Sequence, residues 1–386
     1  MKKMSAVTVS LFCAMLFGVL LCFFILPQKD FSAEEKRALQ TFPVPDASAL
    51  RSGKFAAQLS DFFADQFPFR SGLVGVKGGA EILFGKEEND GILLGADGRL
   101  ARRNFDMLSL GRGTVPDVDF FDPETVDAAC DGILYASEHL NCPFAVLLTG
   151  RNIDVCPSAF SYPADFSDAL NERIRSRLDG RVVCPDLVSL FRASGDGLYY
   201  RTDHHWTTAG AYLGYRAAME SLGRAGEILP QEVFRREEIS DSFRGTLWSA
   251  GGMHWIAPDT VEIWYRGNED AFSVVADGRE LEGFYSMDRL TGSDHYAVFL
   301  DGTHDVVTIR KTGEERPLLL VLRDSFGSSL APFLAQNYDL VLLNLSSTRT
   351  DFTDLSGLAE QYHADAVLLV YTLENLVTAN KLPRLR

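Results

Sequence analysis

The chain has 386 residues, 46% hydrophobic and 23% charged, a balance that supports one large globular domain or two modest ones. Its formal net charge of −16 argues against a nucleic-acid partner, because phosphate binding needs clustered Lys and Arg. The charge fits a soluble surface facing neutral or cationic material and names no partner by itself.

Met1-Lys2-Lys3-Met4 precedes an uncharged run from Ser5 to Leu26, 22 residues closed by Pro27. As a helix this run rises about 33 Å, enough for a bilayer core of ~30 Å. Leu26-Pro27-Gln28 offers no small-residue cleavage site, so the run reads as an uncleaved single-pass anchor rather than a signal peptide. Lys2 and Lys3 then hold residues 1–4 in the cytoplasm and leave everything after Pro27 outside. Residues 27–54 read as a linker, with a charged helical stub at Glu34-Glu35-Lys36-Arg37 and an extended part through Pro43 and Pro45.

A globular domain is expected over residues 55–386. Phe55, Leu59, Phe62, Phe63 and Phe67 recur at helical spacing until Pro68, with Asp61, Asp65 and Arg70 around them. From Ile82 to Leu100, short apolar runs alternate with glycine turns, and Asp97-Gly98 signals a hairpin. Residues 101–122 read as irregular. An α/β rhythm follows: helices at 123–139, 165–178 and 208–222, the last capped by Thr207 or Thr208, and strands at 144–148 and 182–183. Residues 230–312 break the rhythm and read as a β-rich insertion between two halves of a mostly parallel sheet. The rhythm resumes with strands at 318–322, 340–344 and 366–371 and helices to about Leu334 and over 351–362.

The four cysteines beyond the anchor, Cys130, Cys142, Cys156 and Cys184, allow three pairings. Cys156 with Cys184 is the preferred pair, since both follow predicted strand ends, and buried free thiols are the alternative.

Two stretches carry chemistry. Tyr199-Tyr200-Arg201-Thr202-Asp203-His204-His205-Trp206 packs a carboxylate, two imidazoles and an indole into four consecutive positions. Ser325, in Arg323-Asp324-Ser325-Phe326-Gly327, follows a buried strand and precedes a helix, where open α/β sheets place reactive groups. A serine needs an imidazole to take its proton, and that imidazole needs an orienting carboxylate. His205 and Asp203 supply both. Capping is the bland reading of Asp324 and Ser325. A metal on Asp203, His204 and His205 is the rival chemistry, but adjacent histidines in an extended segment point to opposite faces. Neither a metal nor a cofactor is therefore expected.

Asp203-His204-His205-Trp206 closely resembles the signature of the bacterial DHHW proteins, which are similar to the SGNH-hydrolase-like domains of the alginate O-acetylation proteins. The later Arg323-Asp324-Ser325-Phe326-Gly327 resembles their serine motif, in an order permuted relative to ordinary SGNH esterases. Asp61-Phe62-Phe63-Ala64-Asp65-Gln66-Phe67-Pro68-Phe69-Arg70, Phe243-Arg244-Gly245-Thr246, Pro332-Phe333-Leu334 and Asp365-Ala366-Val367 look like further landmarks. The resemblance implies a flavodoxin-like, three-layer SGNH fold with Ser325 as nucleophile, His205 as base and Asp203 as its orienting partner. Relatives carry a Pro-Thr-Lys-like stretch after the first central strand. Here the chain reads Leu148-Thr149-Gly150-Arg151-Asn152, which makes Arg151 and Asn152 the candidates for substrate or oxyanion contacts. His204 suits a structural or substrate contact, Trp206 packing or a sugar face, and Asp324 the turn.

The implied function is acyl transfer or ester hydrolysis, with O-acetylation of a cell-surface polysaccharide through an acyl-serine. A membrane-bound O-acyltransferase would be the partner, and the bacterial cell membrane the location. A non-catalytic polysaccharide-binding or assembly protein is the alternative, and a plain esterase of lipids or small esters the third reading.

Overall fold

In the computed structural model, which describes residues 2–103, 121–161, 165–378 and 381–385, the apolar runs become a seven-stranded sheet. Its strands are β1 (Phe144–Thr149), β2 (Phe272–Ala276), β3 (Arg279–Leu281), β4 (Val306–Lys311), β5 (Leu318–Arg323), β6 (Asp339–Asn344) and β7 (Ala366–Thr372). They lie in the order β3-β2-β4-β6-β5-β7-β1. The pairings β6-β5, β5-β7 and β7-β1 are parallel, whereas β3-β2, β2-β4 and β4-β6 are antiparallel. The sheet is thus mixed rather than mostly parallel.

The β-rich stretch is the reason. It does not sit apart between two halves of the sheet: β2, β3 and β4 lie inside it and extend the sheet beyond β6, by antiparallel pairing that needs no crossover helix. Its other strands, Arg235–Phe243 and Asp259–Tyr265, pair as a separate ribbon. Of the expected strand at 182–183, Val183 makes an isolated parallel bridge to Ala145.

Strand side chains alternate between faces, and here both faces are dry. Leu319, Val321, Leu340, Leu342, Leu368 and Val370 enter one core, with α4 (Thr208–Ser221) and α5 (Phe326–Leu334). Leu318, Leu320, Leu322, Val341, Leu343 and Val367 enter the other. That second core is covered by α1 (Pro123–His139), α2 (Asp165–Leu178), α6 (Leu355–Tyr362) and α7 (Leu373–Thr378). The short α3 (Leu187–Ala193), unforeseen in the sequence, starts at Asp186, whose carboxylate accepts from Ser189 N at 3.0 Å. Thr207 caps α4, accepting from Gly210 N at 3.3 Å.

The path from β5 to β6 runs over the first face through α5, and the path from β6 to β7 over the second face through α6. The C-terminal tip of β5 is therefore a switch point, where the connections part and leave a crevice.

Two compact units are distinguished, residues 1–89 with 252–255 and residues 90–251 with 256–386. In the first, a helix spans Lys2–Ile25, of which Val7–Ile25 is long and apolar enough to cross a membrane, with mean hydropathy 2.6 over 19 residues. The charged stub is not helical. Residues 33–36 turn between the short strands Phe31–Ser32 and Arg37–Ala38. Long-range ion pairs override the local helix signal, with Arg37 on Asp65 at 2.6 Å and Arg70 on Glu35 at 2.8 Å. The Arg37 guanidinium holds the Asp65 carboxyl below its usual range.

Ile82-Leu83-Phe84, expected to open a hairpin, instead ends a helix over Arg70–Leu83. Its glycines disguise it, and Gly78 is the closest packed of them: a Cβ there would sit 2.9 Å from Asn89 Nδ2. In the second unit, Ile92–Leu94 and Leu100–Arg102 form the hairpin around Asp97-Gly98. Of the irregular stretch 101–122, residues 104–120 lie outside the described residues. Cys156 packs on the first core and Cys184 on the second, so the sheet separates the preferred pair and both are free thiols.

Candidate active site

From Leu318 to Ala335 every residue is buried except Ser325. The strand delivers the chain to the rim, α5 carries it back into the core, and the turn between them presents one hydroxyl. Asp324 makes that turn. Its buried carboxylate accepts from Phe326 N at 3.1 Å, Thr372 N at 2.8 Å and Asn375 Nδ2 at 2.9 Å. Burial pushes this carboxyl up, and the three donors only partly offset it. Arg323 is wholly buried behind the turn, where its guanidinium donates to His304 O at 3.2 Å.

The Asp203–Trp206 stretch arrives from the other side as a closed loop. Tyr199 and Trp206 pair as an antiparallel bridge, and Tyr200 N donates to His205 O at 3.2 Å. Asp259 holds the outer side, accepting from Thr202 N at 2.8 Å and Thr202 Oγ1 at 2.6 Å. Asn152 holds the inner side, its Nδ2 donating to Leu100 O, Tyr200 O and Asp203 O at 2.8, 3.0 and 3.1 Å. Such all-round support is what keeps a reactive loop in one geometry.

The two halves meet. His205 Nε2 lies 2.7 Å from Ser325 Oγ, and His205 Nδ1 lies 2.6 Å from Asp203 Oδ1. Asp203 Oδ1 also accepts from His205 N at 3.0 Å, and Asp203 Oδ2 accepts from Thr246 N at 2.7 Å and Thr246 Oγ1 at 3.1 Å. Burial alone would raise the Asp203 carboxyl. The neighbouring imidazoles of His204 and His205 and the Thr246 N–H outweigh it and hold the group well below the carboxylate range. Ser325, His205 and Asp203 thus form an unbroken line able to move a proton from the hydroxyl to the imidazole.

His204 is not turned away. The segment bends, and the two imidazole centroids lie 3.8 Å apart, contrary to the opposite faces expected of an extended strand. Its Nδ1 meets Thr246 Oγ1 at 2.7 Å, so it braces the residue that braces Asp203. Ligand atoms of Asp203, His204 and His205 lie within 4.8 Å of one another. A cation there would have to take a His205 nitrogen from Ser325 or Asp203, which sets metal binding against the hydrogen-bonded line.

Trp206 is fully buried, its Nε1 donating to Ser329 Oγ at 2.8 Å, so its role is packing rather than a sugar face. Arg151 is buried too and grips Asp154 through Nε and Nη2 at 3.1 and 2.9 Å. With the Asn152 side chain clamping three carbonyls, the donors of both residues serve the loop rather than a ligand.

Sequence reasoning missed Tyr296. Its ring stacks on His205, with centroids 3.7 Å apart and planes at 7°. Its hydroxyl donates to Ser325 O at 3.2 Å and shares a hydrogen bond with Ser329 Oγ at 2.9 Å. One side chain thus fixes the plane of the His205 ring and the carbonyl of Ser325. Tyr296→Leu is expected to lower turnover of an ester substrate about 10–100-fold. Tyr296→Phe, which keeps the stack, should recover most of it. Equal losses in both would assign the effect to the hydroxyl instead of the stack.

Residues 174–344 match the family described as DHHW protein. Among solved structures, a DHHW family protein from Eubacterium siraeum is similar with TM-score 0.57 and 16% identity, over 77% of this chain and 95% of that one. PatB1 from Bacillus cereus, solved with a sulfonyl adduct, is similar with TM-score 0.57 and 18% identity, over 69% of this chain and 94% of that one. The O-acetyltransferase domain of AlgJ from Pseudomonas putida stands at TM-score 0.43 and 16% identity, over 75% and 93%. No match is found among curated proteins. The first two likenesses show a shared fold.

Proposed function

We propose that this chain is a serine-dependent acyl-ester transferase or esterase that O-acetylates a cell-surface polysaccharide outside the membrane, with Val7–Ile25 as its anchor. The observation that carries the reading is the line from Ser325 through His205 to Asp203, at 2.7 and 2.6 Å, ending on the one unburied residue of a buried run. The topology supports an SGNH-like assignment. Counted from β5, the parallel strands β5, β6, β7 and β1 with the Val183 bridge lie in the order 2-1-3-4-5, that of a flavodoxin-like sheet entered at a different point. The resemblance of both motifs to the alginate O-acetylation proteins favours a polysaccharide acceptor and a membrane-bound O-acyltransferase as the source of acetyl groups.

In this mechanism Ser325 Oγ attacks the acetyl carbonyl while His205 Nε2 takes its proton. The Asp203 carboxylate stabilises the imidazolium through Nδ1–H. The positive end of the α5 dipole lies next to Ser325 and favours the developing oxyanion. Collapse expels the donor's oxygen, which takes the proton from His205 and leaves acetyl-Ser325. An acceptor hydroxyl then gives its proton to His205 and attacks the acyl carbon, which restores Ser325 and forms the new ester. Water in place of the sugar hydroxyl gives hydrolysis.

An aryl sulfonyl fluoride tests the nucleophile directly. A single adduct is expected on Ser325 by mass spectrometry, with loss of p-nitrophenyl acetate turnover in parallel. A wild-type chain that releases no acetate and takes no label, while still binding polysaccharide, would make it a binding protein instead.

A further inference from the structure

A polar groove adjoins the C-terminal tip of β5. Its volume is about 580 Å³, within the range of small-ligand sites. It is built on the two strands that flank β5: residues 345–351 follow β6, while Tyr371, Asn375 and Thr378 belong to the end of β7 and to α7. The groove and the serine turn share a wall, because Asn375 donates to Asp324 Oδ2 at 2.9 Å and Leu345 N donates to Arg323 O at 2.9 Å. One residue, Asp324, separates the groove's edge from the nucleophile.

The lining is that of a sugar site. Hydroxyls from Ser346, Thr348, Thr350 and Tyr371 and an amide from Asn375 can both donate and accept, as ring hydroxyls demand. Its charge is unlike that of the chain. Three cations, Arg349, Lys381 and Arg384, stand against one acid, Asp351, in a protein of net charge −16. Arg349 pairs with Asp305 at 3.0 Å and Arg384 with Asp351. Lys381 differs. Its ammonium rests on the neutral carbonyls of Ser347 and Thr350, and among the described residues no carboxylate pairs with it.

We propose that this groove holds the acceptor glycan, that the glycan carries acid groups, and that Lys381 meets one of them. The chain would run from the groove over Asp324 and present a hydroxyl to acetyl-Ser325. This rests on the transferase reading for its purpose, but not for the binding itself, so binding and turnover are measured separately.

The probes are a hyaluronan hexasaccharide, which alternates glucuronate with a neutral sugar, and neutral cellohexaose. Both are titrated into the full chain carrying Ser325→Ala. The acidic hexamer is expected to bind at least fivefold tighter than the neutral one, with affinity falling as salt rises. Lys381→Gln should remove that preference. Thr348→Trp, at an exposed position inside the groove, should weaken both probes at least tenfold while the melting temperature holds. In the active chain, Thr348→Trp should leave p-nitrophenyl acetate hydrolysis within twofold of wild type and cut transfer to the bound hexamer about tenfold. If neither probe binds, if they bind equally, or if Thr348→Trp changes binding of neither, the groove is not an acidic-glycan site. If the probes bind as expected while wild type transfers and hydrolyses nothing, the groove stands and the enzymatic reading falls.

Discussion

Replacing Ser325 by Ala is expected to reduce turnover of an activated acetate ester at least ~10³-fold, and His205→Ala to do nearly the same. The double variant should be little worse than either single one. Hydroxyl and imidazole act as one unit joined at 2.7 Å, so removing the second finds nothing left to remove. The measurement is kcat/KM for the four proteins of the cycle, with circular dichroism to show that each is folded. Losses that multiply in the double variant would mean that the two residues act separately, and the proton line would then be wrong. His204→Ala is the internal contrast. It leaves both nitrogens of His205 engaged and should lose far less.

Gly245→Ala should be nearly as damaging, without touching a reacting group. A Cβ at that position would stand 2.2 Å from Asp203 Cβ and 2.5 Å from both Asp203 Cα and Thr202 O. These are mainly backbone neighbours of a buried loop, so no rotamer change can relieve the overlap. Either Asp203 is displaced from His205, or residues 245–246 withdraw and take the Thr246 N–H from Asp203 Oδ2. Overpacking of this kind costs about 1–3 kcal/mol of stability. Activity should fall about 10²-fold or more, because the imidazole loses its orienting partner.

The pH dependence carries a further signature. The folded-state carboxyl of Asp203 is depressed, so its stabilising contribution is present above the unfolded value of ~4 and is lost as pH falls through the folded one. Displacing Asp203 should flatten the acid limb of the stability curve. A Gly245→Ala protein with wild-type turnover and an unchanged acid limb would show that the loop tolerates a methyl group, against the geometry described.

The pairing of Asp203, His205 and Ser325 was legible because the chemistry demands three residue types and the chain supplies them beside strand and helix ends. What supports them was less so. Tyr296 belongs to a 3-10 turn, His295–Val298, in a stretch whose glycine-rich turns hide any periodicity, and nothing local marks it as the neighbour of a histidine 91 residues earlier. Gly245 and Thr246 were visible as landmarks without a reason, and the reason is steric: only a glycine lets that backbone reach Asp203. The bend that brings His204 onto His205 depends on Asp259 and Asn152, which lie far away in sequence and make no pattern with the motif. The sheet shows the same division. Strands buried on both faces read clearly as apolar runs, but their partners are a matter of topology. The short β2 and β3 therefore looked like an insertion when they extend the sheet.

The contacts of Asp324 also set an order of events. The Ser325 turn is secured by Thr372 N and Asn375 Nδ2, at 2.8 and 2.9 Å, from the end of β7 and the start of α7. Every residue of the proton line has been synthesised by position 325, yet the turn lacks two of its three anchors until some fifty further residues have followed and β7 has docked beside β5. A chain that has not reached that point thus carries a hydroxyl that is not yet held against His205. The line is thus completed late: Ser325 is held against His205 only after the end of β7 and the start of α7 have folded around Asp324.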